Sequence, residues 1–102
     1  MNELSVEQAN TILHQEFEGV LYLYTPMCGT CAVAQKMLTV IEELIPEVEM
    51  VKVNVNFSRA LAEQLKIESV PCLLIFKQGR VQQKIYAFQS VPYLYDTIKK
   101  II

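Results

Sequence analysis

Apolar residues near the start of the chain recur at helical spacing. Val6, Ala9 and Leu13 share one side of a segment that Ser5 can cap, with Gln8 placed to close a capping box. Glu18-Gly19 ends this region and the pattern changes. Val20 to Tyr24 reads VLYLY, a continuous β-prone run of the kind expected for a strand covered on both faces. Thr25-Pro26-Met27 follows as a loop. From Cys28 onward the helical period returns, with Ala34, Met37, Leu38, Ile41 and Leu44 on one side and Gln35, Lys36, Glu42 and Glu43 between them, until Pro46 stops it.

The second half alternates in the same way. Val48 to Val55 is a strand, Ser58 caps a short helix running to Lys66, and Val70-Pro71 opens a third strand, CLLIF. Gln78-Gly79 marks a tight hairpin turn, and Val81 to Phe88 returns as the partner strand. Ser90 caps a last helix with Val91, Leu94, Ile98 and Ile102 on its inner side. The order is α-β-α-β-α-β-β-α. Helices join the first strand to the second and the second to the third, which predicts parallel crossovers, and the last two strands pair as a hairpin. The expected architecture is α/β, a four-stranded mixed sheet with helices on both faces.

The composition supports one packed domain over residues 1–102. Of the 102 residues, 52% are hydrophobic and 20% charged, which excludes a disordered chain. The net charge of −2 comes without clusters of Lys and Arg, so no nucleic-acid surface is expected. No apolar run reaches the roughly 18 residues that a membrane span needs. The polar, acidic start MNELSVEQAN lacks the features of a signal peptide, so a cytoplasmic location is expected, where thiols stay reduced.

Three cysteines are present, Cys28, Cys31 and Cys72. An odd number suits redox chemistry or metal binding better than a disulfide framework. Cys28 and Cys31 sit where a strand gives way to a helix. Residues three apart on a helix share a face, and their separation is compatible with a disulfide. Free N–H groups and the helix dipole at this end favour an anion, so the Cys28 thiol should fall from about 8.5 toward about 7 or lower. Cys28 is therefore the candidate nucleophile, and Cys31 the thiol that resolves the mixed disulfide. Gly29 permits close approach of a substrate backbone. A zinc site is the competing use of such a pair, but only Cys72 and His14 remain to complete it.

Strand, Cys28-Gly29-Thr30-Cys31 at a helix start, then VKVNVN and SVPCLLIFKQGRV: in this order the chain resembles thioredoxin over nearly its whole length. The resemblance implies a thioredoxin-like fold and an electron carrier that reduces protein disulfides. It implies no bound cofactor beyond the redox-active Cys28–Cys31 disulfide. The expected partners are disulfide-containing client proteins and an NADPH-dependent thioredoxin reductase, with the chain acting as a monomer and binding neither nucleic acid nor membrane. It further implies a cis peptide bond before Pro71, which would offer the Val70 backbone to a client strand. Pro26, Met27, Val70 and Ala87 would form an apolar rim around the disulfide, with Ala87 in place of the usual glycine and Phe88 beside it.

Four departures from the family pattern stand out. Met27 and Thr30 replace the tryptophan and proline that flank and separate the cysteines, which bears on the redox poise. Tyr22 stands where the family has a buried aspartate serving proton transfer, while the lysine paired with that aspartate is kept as Lys52. A tyrosine is a poor base near neutral pH, so the inner thiol must lose its proton through water or Lys52, and slow resolution is expected. Lys52 is otherwise a solvated strand residue. Lys36 replaces a helix-kinking proline. Cys72, next to Pro71, is either an inert strand cysteine or a regulatory or metal-binding thiol. Two further functions stay open: reduction of mixed disulfides with a low-molecular-weight thiol, and a non-catalytic binding module that keeps only the fold.

Overall fold

Local hydrogen bonding starts the helices where the sequence predicts. Ser5 Oγ accepts the Gln8 N–H at 3.1 Å and Gln8 Oε1 accepts the Ser5 N–H at 2.9 Å, a closed capping box. Ser58 Oγ accepts the Leu61 N–H and Ser90 Oγ the Tyr93 N–H. The computed structural model covers residues 1–102 and runs β1 (Asn2–Glu3), α1 (Val6–Leu13), β2 (Gly19–Tyr24), α2 (Gly29–Leu44), β3 (Met50–Asn54), a 3₁₀ turn (Val55–Phe57), α3 (Arg59–Gln64), β4 (Cys72–Lys77), β5 (Arg80–Ile85) and α4 (Val91–Ile101). No helix is long and apolar enough to cross a membrane.

The sheet order is β1-β3-β2-β4-β5. β2 is central, parallel to β3 and antiparallel to β4, and its residues Val20 to Leu23 are completely buried. The four expected strands are all present, and a fifth joins them. Asn2 and Glu3 pair in parallel with Val51 and Lys52 at the sheet edge. Two exposed polar residues carry no alternation that would announce a strand.

The second helical connection departs from expectation: β4 does not follow β3 as a parallel crossover but lands on the far side of β2, antiparallel. α2, with 16 residues, spans about 24 Å and can return the chain along a whole strand. α3 has 6 residues and spans only about 9 Å.

Alternate residues of the strands serve two cores. Val20, Tyr22, Leu73 and Ile75 meet Leu38 and Ile41 of α2 and Leu94 and Ile98 of α4. Leu21, Leu23, Cys72 and Leu74 meet Ala9 of α1 and Leu61 of α3 on the other face. Burial of each such leucine or isoleucine contributes about 1.5–3 kcal/mol. At the end of α2 the inward residue is Ile45 rather than Leu44, which is 54% exposed.

Two glycines are required by the backbone. Gly19 has φ +155°, and a Cβ there would lie 2.4 Å from the Glu49 carbonyl oxygen at the entry to β2. Gln78 and Gly79, with φ of 55° and 76°, close the β4–β5 hairpin as a two-residue turn. β5 ends at Ile85, earlier than the sequence pattern suggests. The chain then leaves the sheet, drives Phe88 into the core and turns at Gln89, whose φ is 60°, before α4 begins.

Candidate active site

β2 and α2 place the two cysteines. Cys28 follows the loop after β2 and is the N-cap of α2, with an extended backbone and its sulfur turned back over the first turn. Its Sγ accepts the Cys31 N–H at 3.1 Å, and Thr30 Oγ1 lies 3.3 Å from the same sulfur. Hydrogen bonding from the Cys31 thiol, then from the Thr30 hydroxyl, pulls the Cys28 thiol below its ordinary range. The backbone N–H groups of the turn act in the same direction, as a helix N-terminus does toward an anion. Cys28 is half-buried and open to a partner.

Cys31, one turn in, is only 3% exposed. Burial pushes its thiol up, and the adjoining Cys28 adds to this. Hydrogen bonding from the Thr25 backbone and from the Tyr22 hydroxyl opposes the rise. The pair is thus split, one thiol favoured as an anion and one as a neutral acid.

Two depressions flank the pair. A groove of about 370 Å³ is lined by Thr30, Val33, Ala34 and Met37 of α2, by Pro71, and by Tyr86, Ala87, Phe88 and Gln89. A smaller cleft of about 200 Å³ is lined by Tyr22, Tyr24, Thr25, Pro26, Cys28, Cys31, Ala32 and Gln35. The Val70–Pro71 peptide bond is cis. Among the residues singled out in the sequence, Pro26, Cys28 and Cys31 thus border the cleft, and Pro71 and Ala87 the groove. Met27 is 94% exposed next to Cys28, Gly29 has open space around its Cα, and Val70 is half-buried.

Lys52 stands apart from them. Its ammonium donates to Gln35 Oε1 at 3.4 Å, lies 4.0 Å from the Glu3 carboxylate and sits 5.5 Å from the centre of the Tyr24 ring. The Tyr24 hydroxyl donates to Glu3 at 2.6 Å, and burial followed by that carboxylate pushes it to about 12. Glu3, Tyr24 and Gln35 had no motif to announce them, because β1, β2 and α2 converge on this point only in three dimensions. Val33 and Met37 did carry a signal. With Thr30 they form one stripe at helical spacing, but the sequence pattern assigns Met37 to the core.

Cys72 is fully buried in β4, and burial pushes its thiol to about 11. No group of three or more His, Cys, Asp or Glu side chains comes together in a form that could hold a metal ion. α2 runs unbroken through Lys36.

Known proteins resemble this chain in sequence and fold. A thioredoxin family model matches residues 2–100. The chain is 54% identical over 81 residues to the thioredoxin-like protein YusE of Bacillus subtilis, covering 79% of this chain and 76% of that protein. It is 34% identical over 77 residues to a thioredoxin of Haemophilus influenzae, covering 71% of this chain and 68% of that one. In fold it is similar to oxidised mitochondrial thioredoxin 3 of Saccharomyces cerevisiae, with a TM-score of 0.83 at 24% identity over 99% of this chain and 95% of that one.

Proposed function

The chain belongs to the thioredoxin family, and from that premise we propose that it is a thiol–disulfide oxidoreductase reducing protein disulfides through Cys28 and Cys31. The observation that carries this reading is the sulfur of Cys28. It lies on the N-terminus of α2, 3.1 Å from the Cys31 N–H, with a second thiol buried one turn behind it. A thiolate held there with a lowered pKa suits attack near neutral pH.

The Cys28 thiolate attacks one sulfur of a client disulfide and expels the other as a thiolate. Cys31, once deprotonated, attacks the Cys28 sulfur, closes the Cys28–Cys31 bond and releases the second client thiolate. The client gains two electrons and two protons, and the pair becomes a disulfide. An NADPH-dependent thioredoxin reductase then returns it to the dithiol. The apolar groove beside Thr30 and Pro71 suits an extended client segment, with Pro71 and Ala87 along one border, the Val70 backbone just before Pro71, and Met27 and Gly29 near the attacking sulfur. Lys52 contributes by holding Gln35 and Glu3 at the back of the cleft. The cytosol is the setting that suits a reductase with a third, unpaired thiol.

The test is the equilibrium reduction potential of the Cys28–Cys31 pair, read by mass-tagging across a redox buffer series. A value near about −270 mV supports a protein-disulfide reductase. A value toward about −180 mV favours mixed-disulfide or isomerase work. A pair that never closes would leave only the binding-module reading.

A further inference from the structure

Cys31 faces a difficulty that its partner does not. It must become a thiolate to resolve the mixed disulfide, yet it is 3% exposed and lies against the half-buried Cys28. A buried anion requires hydrogen-bond donors aimed at it. Two donors lie beside Cys31 in the cleft that Tyr22, Thr25 and Cys31 line together. The first is the backbone N–H of Thr25, the residue that follows β2 and lines the same cleft. The second is the Tyr22 hydroxyl, which donates to the Cys31 carbonyl oxygen at 2.7 Å and lines the same cleft as Cys31.

Tyr22 is held for this. It is fully buried, stacked on Tyr24 with ring centroids 5.7 Å apart and planes 11° apart, and met edge-on by Phe88 at 6.1 Å. The ring cannot swing away, so the free motion left to the side chain is rotation of its single O–H. Its one proton is given to the Cys31 carbonyl oxygen, with the sulfur of the same residue in the same cleft as the other acceptor it could turn to.

We propose that Tyr22 and the Thr25 N–H form a pocket for the Cys31 thiolate, and that the Tyr22 O–H turns from the Cys31 carbonyl to the Cys31 sulfur as that sulfur prepares to attack. This rests on the dithiol reading above. The Cys31 proton leaves through the cleft to solvent, and the sulfur bears the charge under the two donors. The Cys28–Cys31 bond then forms as the bond from Cys28 to the client breaks. The departing client thiolate takes a proton from water. Tyr22 does not ionise: burial, then the charge of Cys31, pushes its hydroxyl above the ordinary tyrosine value, so it stays a donor throughout.

The groups around this pocket are few. α2 presents Cys28 itself, and β2 presents Tyr24 beyond the Tyr22 ring. Glu3 of β1 and Lys52 of β3 lie against Tyr24 and neutralise each other in part. β4 presents Leu73, and the segment before α4 presents Phe88, neither of which titrates.

The experiment uses 5,5′-dithiobis(2-nitrobenzoate) and stopped-flow absorbance on the full chain. Attack by Cys28 releases one coloured thiol at a rate set by reagent concentration. Attack by Cys31 on the resulting mixed disulfide releases a second at a rate independent of it. In Tyr22→Phe the first release is unchanged, while the second slows by about tenfold near pH 7 and its pH inflection moves up by about one unit. A merely structural loosening would not move that inflection. If Tyr22→Phe does not fold, protein made with 3-fluorotyrosine, a stronger hydroxyl donor, decides: its second release inflects at lower pH. A Tyr22→Phe variant matching the wild type in rate and inflection overturns the role of Tyr22, as does an unmoved inflection in the fluorinated protein. A wild-type protein that gives only the first release overturns the dithiol reading and this proposal together.

Discussion

Cys28 and Cys72 lie on opposite sides of one sheet, and the structure treats them in opposite ways. Cys28 caps a sixteen-residue helix, is half-buried, and meets the Cys31 N–H and the Thr30 hydroxyl. Cys72 is paired into β4 opposite Leu23 and faces the core beneath α1 and α3, fully enclosed. Its thiol is pushed to about 11 by burial, which the Tyr86 hydroxyl and the Lys84 charge only partly offset. Cys72 adjoins Pro71 in sequence, yet its side chain points away from the groove that Pro71 lines. Closeness to the site along the chain therefore decides little. A thiol becomes reactive through donors and solvent, and β pleating shuts Cys72 away from solvent.

The sharpest way to break this contrast is to exchange the sulfurs for oxygen. Cys28→Ser should reduce turnover of a disulfide substrate by about a thousandfold or more, because the nucleophile is gone. Cys72→Ser should leave turnover within about twofold, both variants being measured by reduction of the insulin disulfides. If Cys72→Ser were as damaging, the separation of the two faces would be wrong.

Alkylation of the native, reduced protein gives the next largest effect. At about pH 7 a thiol of pKa about 11 is roughly one part in ten thousand thiolate. Cys28 should accordingly label at least about a hundredfold faster than Cys72, read by peptide mass spectrometry. The sign with pH follows from the lowered Cys28 pKa. Above that pKa the rate is flat, and below it the rate falls about tenfold per pH unit as the thiolate is protonated. The Cys72 rate keeps rising through alkaline pH.

Smaller effects refine the account. Thr30→Val removes one donor from the Cys28 sulfur, so its pKa rises and alkylation near pH 6 slows by about threefold. Cys72→Ala leaves a small void in the core under α1 and α3 and should cost about 1–2 kcal/mol in chemical unfolding. The reduction potential of the Cys28–Cys31 pair should not move with it.

Much of this was legible in the chain. Ser5, Ser58 and Ser90 announce three helix starts, because capping is a local hydrogen bond between residues close in sequence. VLYLY marks the central strand because only a strand covered on both faces tolerates such a run. The thiol pair at a strand-to-helix junction is likewise a local feature, and Cys28 alone of the three cysteines carries it.

What required the tertiary structure is what depends on long-range placement. β1 exists only because Val51 and Lys52 offer an edge to Asn2 and Glu3. The antiparallel entry of β4 beside β2 is a matter of which sheet edge pairs, which helical periodicity alone does not convey. Glu3, Tyr24, Gln35 and Lys52 come together from four elements. Tyr22, by sequence a poor base in the place of a carboxylate, is seen to be a donor only once its hydroxyl is found 2.7 Å from the Cys31 carbonyl. Residues close in sequence determine caps, turns and helix dipoles, whereas the partners of a buried hydroxyl or thiol are chosen by how the sheet and helices pack.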